Sequence, residues 1–206
     1  MDLQQFLIIA NELYYIQKRD DNMETTLWLI AIIILTFGLQ LTIKDFTQFF
    51  FFDPNNLQPW MFITAIFLHG GFSHLFFNLL TLFLFAPYLE NILGKRKFLI
   101  FFLMSGIAGS LLYYITILTG IIPPTPALGA SGAIFGILGA LSVLMPNMVI
   151  LLFGFIPLRM KEAAILWIIL EFLNSFNYMS GIGSAAHLGG LLFGIFAIKF
   201  FVKYDV

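Results

Sequence analysis

The sequence predicts an all-α, polytopic membrane protein: a bundle of six transmembrane helices with a long interfacial first loop. Three observations carry that prediction. Of the 206 residues 60% are hydrophobic and only 10% charged, with a mean hydropathy of +0.96, a balance that soluble domains of this size do not have. The apolar residues fall into six stretches, about 26–43, 72–90, 98–119, 131–145, 160–178 and 183–201, five of them long enough to cross roughly 30 Å of hydrocarbon and the fourth slightly short of it. Lys and Arg gather at the ends of these stretches, where a bilayer tolerates them.

Residues 1–24 read as a cytoplasmic N-terminal amphipathic segment and residues 25–206 as the membrane domain. In the first part Leu3, Phe6, Leu7, Ala10, Leu13 and Tyr14 recur at helical spacing between Gln4, Gln5, Asn11 and Glu12, the pattern of a helix lying on a membrane surface or against the bundle. The start, Met1-Asp2-Leu3-Gln4-Gln5, lacks the positive n-region of a signal peptide, so the mature chain is expected to begin here. Residues 18–24 form a charged hinge before the first span.

The connection 44–71 is long, and its Phe49 to Phe52 run, Asp53-Pro54 and Pro59-Trp60 are apolar enough to lie in the interface. Spans two and three follow, joined at Lys95, Arg96 and Lys97. The fourth begins at Ser131, after the Pro-rich loop Pro123, Pro124 and Pro126, and stops at Met145-Pro146. The apolar stretch 148–157 is too short to span and is expected to be a re-entrant or interfacial connection. Spans five and six complete the chain.

With six spans both termini share a side. Lys18, Arg19, Lys95, Arg96, Lys97, Arg159, Lys161, Lys199 and Lys203 fall on that side and Lys44 alone on the other, so both termini are expected in the cytoplasm. A net charge of -1 without a basic face excludes nucleic acid as a partner. The absence of Cys removes disulfides, thiolate catalysis and Cys-based metal sites, and no cofactor or metal is expected.

In this topology spans two, four and six all run inward from the outer face. His74 and Asn78 start span two, Ser131 starts span four and His187 lies one turn into span six, so four hydrogen-bonding side chains converge near the outer leaflet. Polar groups in apolar helices face a bundle interior or a water-filled cavity. Ser131 stands between Gly129-Ala130 and Gly132 at a helix N-terminus, where backbone N–H groups point toward any oxyanion the serine creates. Alone, these small residues could equally serve close helix packing. Opposite His187 the serine reads as a nucleophile with a base. The pairs Gly132/Gly136 and Gly190/Gly194 would let spans four and six approach. If Pro146 marks the inner surface, about 22 Å of helix puts Ser131 several ångströms below the outer one, in a cavity open to the outside.

These residues resemble the rhomboid family of intramembrane serine proteases over about 59–201. Gly129-Ala130-Ser131-Gly132 is similar to the family's nucleophile motif, Ala186-His187-Leu188-Gly189-Gly190 to its span-six base motif, and His74-Leu75-Phe76-Phe77-Asn78 to its H-x-x-x-N motif. The resemblance implies Ser131 as nucleophile, His187 as general base, and His74, Asn78 and the Ser131 backbone N–H as oxyanion hole, with Gly129, Gly132, Gly190 and Phe135 in support. Two positions depart from the family. Trp60-Met61 replaces a common Trp-Arg in the first loop, and Phe135 replaces a Tyr one turn after the serine, keeping a ring that can stack on His187 but no hydroxyl.

The expected reaction is hydrolysis of a peptide bond in or near a transmembrane segment of a single-span or multi-span membrane protein, by a Ser-His dyad. Glu171, read as mid-way along span five, and Glu90, at the inner end of span two, are expected away from the outer cavity, Glu171 protonated or bonded within the bundle and Glu90 near Lys95 to Lys97. A helical substrate must unwind to be cut, so helix-breaking or small residues near the bond should help. The resemblance implies a gate between spans two and five. The alternatives are a catalytically inactive rhomboid-like protein that binds client helices and a small transporter, though a transporter would carry polar groups deep in several helices.

Overall fold

The structure, a computed structural model, describes residues 23–152, 154–176 and 181–202. The amphipathic helix expected over 3–16 and most of the hinge after it lie outside the described residues. Eight α-helices, a 3-10 turn (Ala65–Phe67) and one hairpin are present among those described: α1 (Glu24–Thr42), α2 (Phe46–Phe50), α3 (Met61–Thr64), α4 (Phe72–Leu93), α5 (Lys95–Leu118), α6 (Ser131–Leu144), the strands β1 (Val149–Leu152) and β2 (Ile156–Arg159), α7 (Met160–Asn174) and α8 (Gly181–Phe201). By length and composition α1, α4, α5 and the 183–201 part of α8 could each cross a membrane. The remaining long helices, α6 and α7, have 14 and 15 residues.

Helix α6 is the centre of the bundle. Nine of its residues are buried, on every side of the helix, which is how a helix apolar all round behaves when other helices enclose it. It packs against α8, α5, α4 and α7. Its contact with α8 is backbone on backbone. A Cβ added to Gly190 would lie 1.9 Å from the Gly132 carbonyl oxygen, and one added to Gly194 2.1 Å from that of Gly136, so only glycine fits along this seam. In contrast α1 buries a single stripe, Thr26, Leu29, Ile33 and Phe37, and leaves Trp28 and Leu35 exposed.

The 43–71 connection folds back over the bundle. Phe52 and Ala127 exchange two backbone hydrogen bonds of 2.9 Å, and the Gly129 N–H donates to the Ala65 carbonyl at 2.9 Å, so this connection holds the loop that leads into Ser131. Tyr113 of α5 adds a bond from its hydroxyl to the Thr125 carbonyl. Met61 is 4% exposed and packs with Phe52, Ala65 and Tyr113, while its sulfur accepts the Gln58 N–H at 3.4 Å. The connection is therefore anchored at this position by an apolar side chain.

The structure gives one connection a definite form and revises the reading of Glu90. The stretch 148–157 folds mainly as the antiparallel β1–β2 hairpin, with Val149 opposite Arg159 and Leu152 opposite Ile156, and Gly154 in the left-handed region (φ +83) at its turn. Glu90 does not bond the nearby lysines. Its fully buried carboxylate accepts the Thr25 N–H at 2.7 Å, the Thr26 N–H at 2.8 Å and the Thr26 hydroxyl at 2.7 Å, which satisfies donors at the first turn of α1. Lys95 pairs with Glu24 instead.

Candidate active site

A cavity of about 310 Å³ opens where α4, α5, α6 and α8 meet the 126–129 loop, and Ser131, His74, Gly129, Gly132 and Gly183 are among the residues that line it. Ser131 is the first residue of α6, so its side chain projects from a helix N-terminus whose leading N–H groups lack intrahelical partners. Gly129 precedes it with φ +131, a conformation that favours glycine. Space enforces the same choice: a Cβ on Gly129 would fall 2.7 Å from His74 Cε1 and 2.8 Å from His74 Nε2.

That close approach also fixes what His74 offers. The Gly70 N–H donates to His74 Nδ1 at 3.3 Å, which makes Nδ1 the acceptor and leaves the ring proton of the neutral imidazole on Nε2. Nε2 is the atom beside Gly129, two residues from the Ser131 hydroxyl. Asn78, one turn further along α4, is 7% exposed, and its Nδ2 has no acceptor among the described residues. His74 lines the cavity together with Ser131, whereas Asn78 is not among the described residues that line it.

His187 enters from α8. The residue before it touches the residue after Ser131, since a Cβ on Gly132 would lie 3.4 Å from the Ala186 carbonyl oxygen. The imidazole stacks on Phe135, with centroids 4.4 Å apart and planes 7° from parallel, and Phe135 is braced edge-on by Trp167 of α7 at 5.9 Å. The Cε1–Nε2 edge of His187 faces Gly183, 3.7 and 4.0 Å from where a Cβ would stand there, and so faces the cavity wall.

The opposite edge of that ring corrects the sequence reading. Glu171 was expected away from the cavity, yet its Oε1 lies 3.1 Å from His187 Nδ1, with side-chain exposures of 15% and 22%. Helix α7 ends at Asn174, so Glu171 lies in its last turn, beside His187.

A second residue was missed altogether. His69 precedes α4 and is 2% exposed, its ring 5.0 Å from that of His74, and neither ring nitrogen has a partner among the described residues. Gln40 of α1 holds its backbone from both sides, accepting the His69 N–H at 2.9 Å and donating to the His69 carbonyl at 3.1 Å. Burial, and then the neighbouring His74, pull the His69 pKa down to about 4, so the ring is neutral near pH 7. The signal available in the sequence was a second histidine five residues before His74. Among the described residues no cluster of His, Asp and Glu could hold a metal ion.

Comparison with known proteins bears on the family. Residues 56–204 match the Rhomboid domain family. The chain is 37% identical to YdcA of Bacillus subtilis (strain 168) over 68% of this chain and 65% of that protein. It is also 37% identical to the rhomboid protease GluP of the same organism, over 67% of this chain and 25% of GluP. Rhomboid protein 1, mitochondrial, of Saccharomyces cerevisiae is 36% identical over 65% of this chain and 39% of its own length. The chain thus spans about two thirds of the first of these relatives and a smaller part of the others. With a matching domain over most of its length and several apolar helices fit to cross a bilayer, this integral membrane protein belongs to the rhomboid family.

Proposed function

We propose that this protein is an intramembrane serine endopeptidase that cuts membrane protein substrates in or near their transmembrane segments. The observation that carries the reading is Ser131 at a helix N-terminus in a cavity, beside the Nε2–H of His74 and against the helix that presents His187. The Ser131 hydroxyl attacks the scissile carbonyl carbon as His187 Nε2 takes its proton. The resulting oxyanion is held by His74, Asn78 and the Ser131 N–H. The C–N bond then breaks, His187 protonates the leaving amine, and an acyl-enzyme remains. Water attacks that ester with His187 again as base, and the proton returns to Ser131.

In this reading α6 and α7 join the four longer helices in a six-helix bundle, the termini are cytoplasmic, and the cavity opens to the extracytoplasmic side. Helix α6 is about 21 Å long against about 30 Å of hydrocarbon, which favours a serine sunk below the outer surface and supplied with water through the cavity. Substrate approaches from the lipid between α4 and α7, because α7 packs mainly on α8 and α6 while α4 exposes Phe76, Phe77 and Leu80. Substrates with small or helix-breaking residues near the cut are favoured, since a helical peptide hides its carbonyls.

The test is cleavage of a single-span substrate in proteoliposomes by the wild type, Ser131→Ala and His187→Ala. Cleavage lost in both variants supports the protease. A folded wild type that leaves substrate intact but retains it on affinity capture supports the catalytically inactive, client-binding alternative.

A further inference from the structure

We infer that Glu171 is a positioning residue for His187, giving the site a serine, histidine and carboxylate in series across α6, α8 and α7. This rests on the protease reading above, in which His187 is the base. A carboxylate only accepts hydrogen bonds, so the 3.1 Å contact places the imidazole proton on Nδ1 and leaves Nε2 with its lone pair on the opposite edge, which faces Gly183 of the cavity lining. That is the tautomer a base needs in order to take a proton from Ser131. When Nε2 becomes protonated the ring carries a positive charge, and the adjacent carboxylate stabilises it. The pair is mostly withdrawn from solvent, where this attraction is screened less than at a surface.

The ring is then held on two independent sides. Phe135 fixes its plane and Glu171 fixes its rotation within that plane. The Ser184 hydroxyl of α8 interacts with the same carboxylate, and the Glu171 backbone carbonyl accepts the Ser175 N–H at 2.9 Å and the Ser175 hydroxyl at 2.6 Å, so the last turn of α7 is itself tied down. The other titratable groups near the cavity are His74, His69 and Tyr113, none of which ordinarily carries a negative charge near pH 7. Because Glu171 rides on α7, one side of the proposed substrate gate, the same helix that meets substrate also aims the base.

The experiment compares steady-state cleavage by wild type, Glu171→Gln and Glu171→Asp, with NMR of the three histidine rings in the Ser131→Ala protein. The expected result is a kcat reduced roughly 10²- to 10³-fold in Glu171→Gln with KM nearly unchanged, and partial rescue in Glu171→Asp. In the Ser131→Ala protein, ring nitrogen shifts should report a proton on His187 Nδ1.

Glu171→Gln with wild-type kcat would overturn the inference while leaving the protease intact. If Glu171→Gln does not fold, an Nε2-protonated His187 in the Ser131→Ala protein would overturn it instead. A wild type without cleavage sinks the protease reading itself, and the tautomer measurement still reports on the pairing.

Discussion

The ring of Phe135 lies flat on the imidazole of His187, 4.4 Å between centroids and 7° from parallel. Both residues belong to helices whose backbones touch along a glycine seam, so the stack is set by main-chain geometry and not by adjustable surface packing. Parallel aromatic contact of this kind is worth about 0.5–1.5 kcal/mol beyond the area it buries. Phe135→Ala should therefore lower kcat about tenfold with a small change in KM, and Phe135→Tyr should retain most activity. Steady-state cleavage of a single-span peptide substrate checks this, and a KM-dominated loss would mean that the ring meets substrate instead of the base.

Gly129 carries two constraints at once, a φ of +131 and a His74 ring less than 3 Å from where its Cβ would stand. Gly129→Ala should push His74 off the serine and reduce kcat on the order of 10²-fold, the scale of losing one oxyanion donor. Gly70→Ala is the matched control. Its Cβ would meet His74 Nδ1 at an ordinary 3.7 Å, and its activity should stay within about threefold of wild type.

Far from the cavity, Glu90 ties the start of α1 to the end of α4. Removing its carboxylate in Glu90→Ala leaves the Thr25 and Thr26 donors without their partner and should cost about 2–4 kcal/mol of stability. Thermal unfolding in detergent should show a lower midpoint, while the folded fraction keeps its specific activity. An unchanged midpoint would mean that water replaces the carboxylate at no cost.

The gate can be tested cleanly because the chain has no cysteine. Cysteines introduced on facing positions of α4 and α7 and joined by a bifunctional reagent should abolish cleavage of membrane substrates in proteoliposomes. Reduction of a cleavable linker should restore it. Full activity in the tethered protein would show that substrate arrives by another route.

Much of the bundle was legible in the sequence because lipid imposes simple rules. The starts of α4, α6 and α7 fall where the apolar stretches begin, and the spacing of Gly132, Gly136, Gly190 and Gly194 already described two helices in backbone contact. Glu171 was misjudged for a physical reason. Hydropathy does not tell where a helix stops within an apolar stretch, so Glu171, in the last turn of α7, was read as mid-span. His69 escaped because it precedes the helix that carries His74, and spacing within spans was the only guide to what faces the cavity. The 148–157 stretch is apolar throughout, so period alone did not reveal the hairpin, whose turn includes Gly154 in the left-handed region.

The most direct test of the central claim is covalent labelling of the purified protein with a fluorophosphonate, with the modified residue mapped by mass spectrometry. A serine made nucleophilic by a neighbouring base should be labelled at Ser131 in the wild type, sharply less in His187→Ala, and not in Ser131→Ala. Labelling at another serine, or labelling at Ser131 that does not depend on His187, would contradict the assignment of these two residues as nucleophile and base.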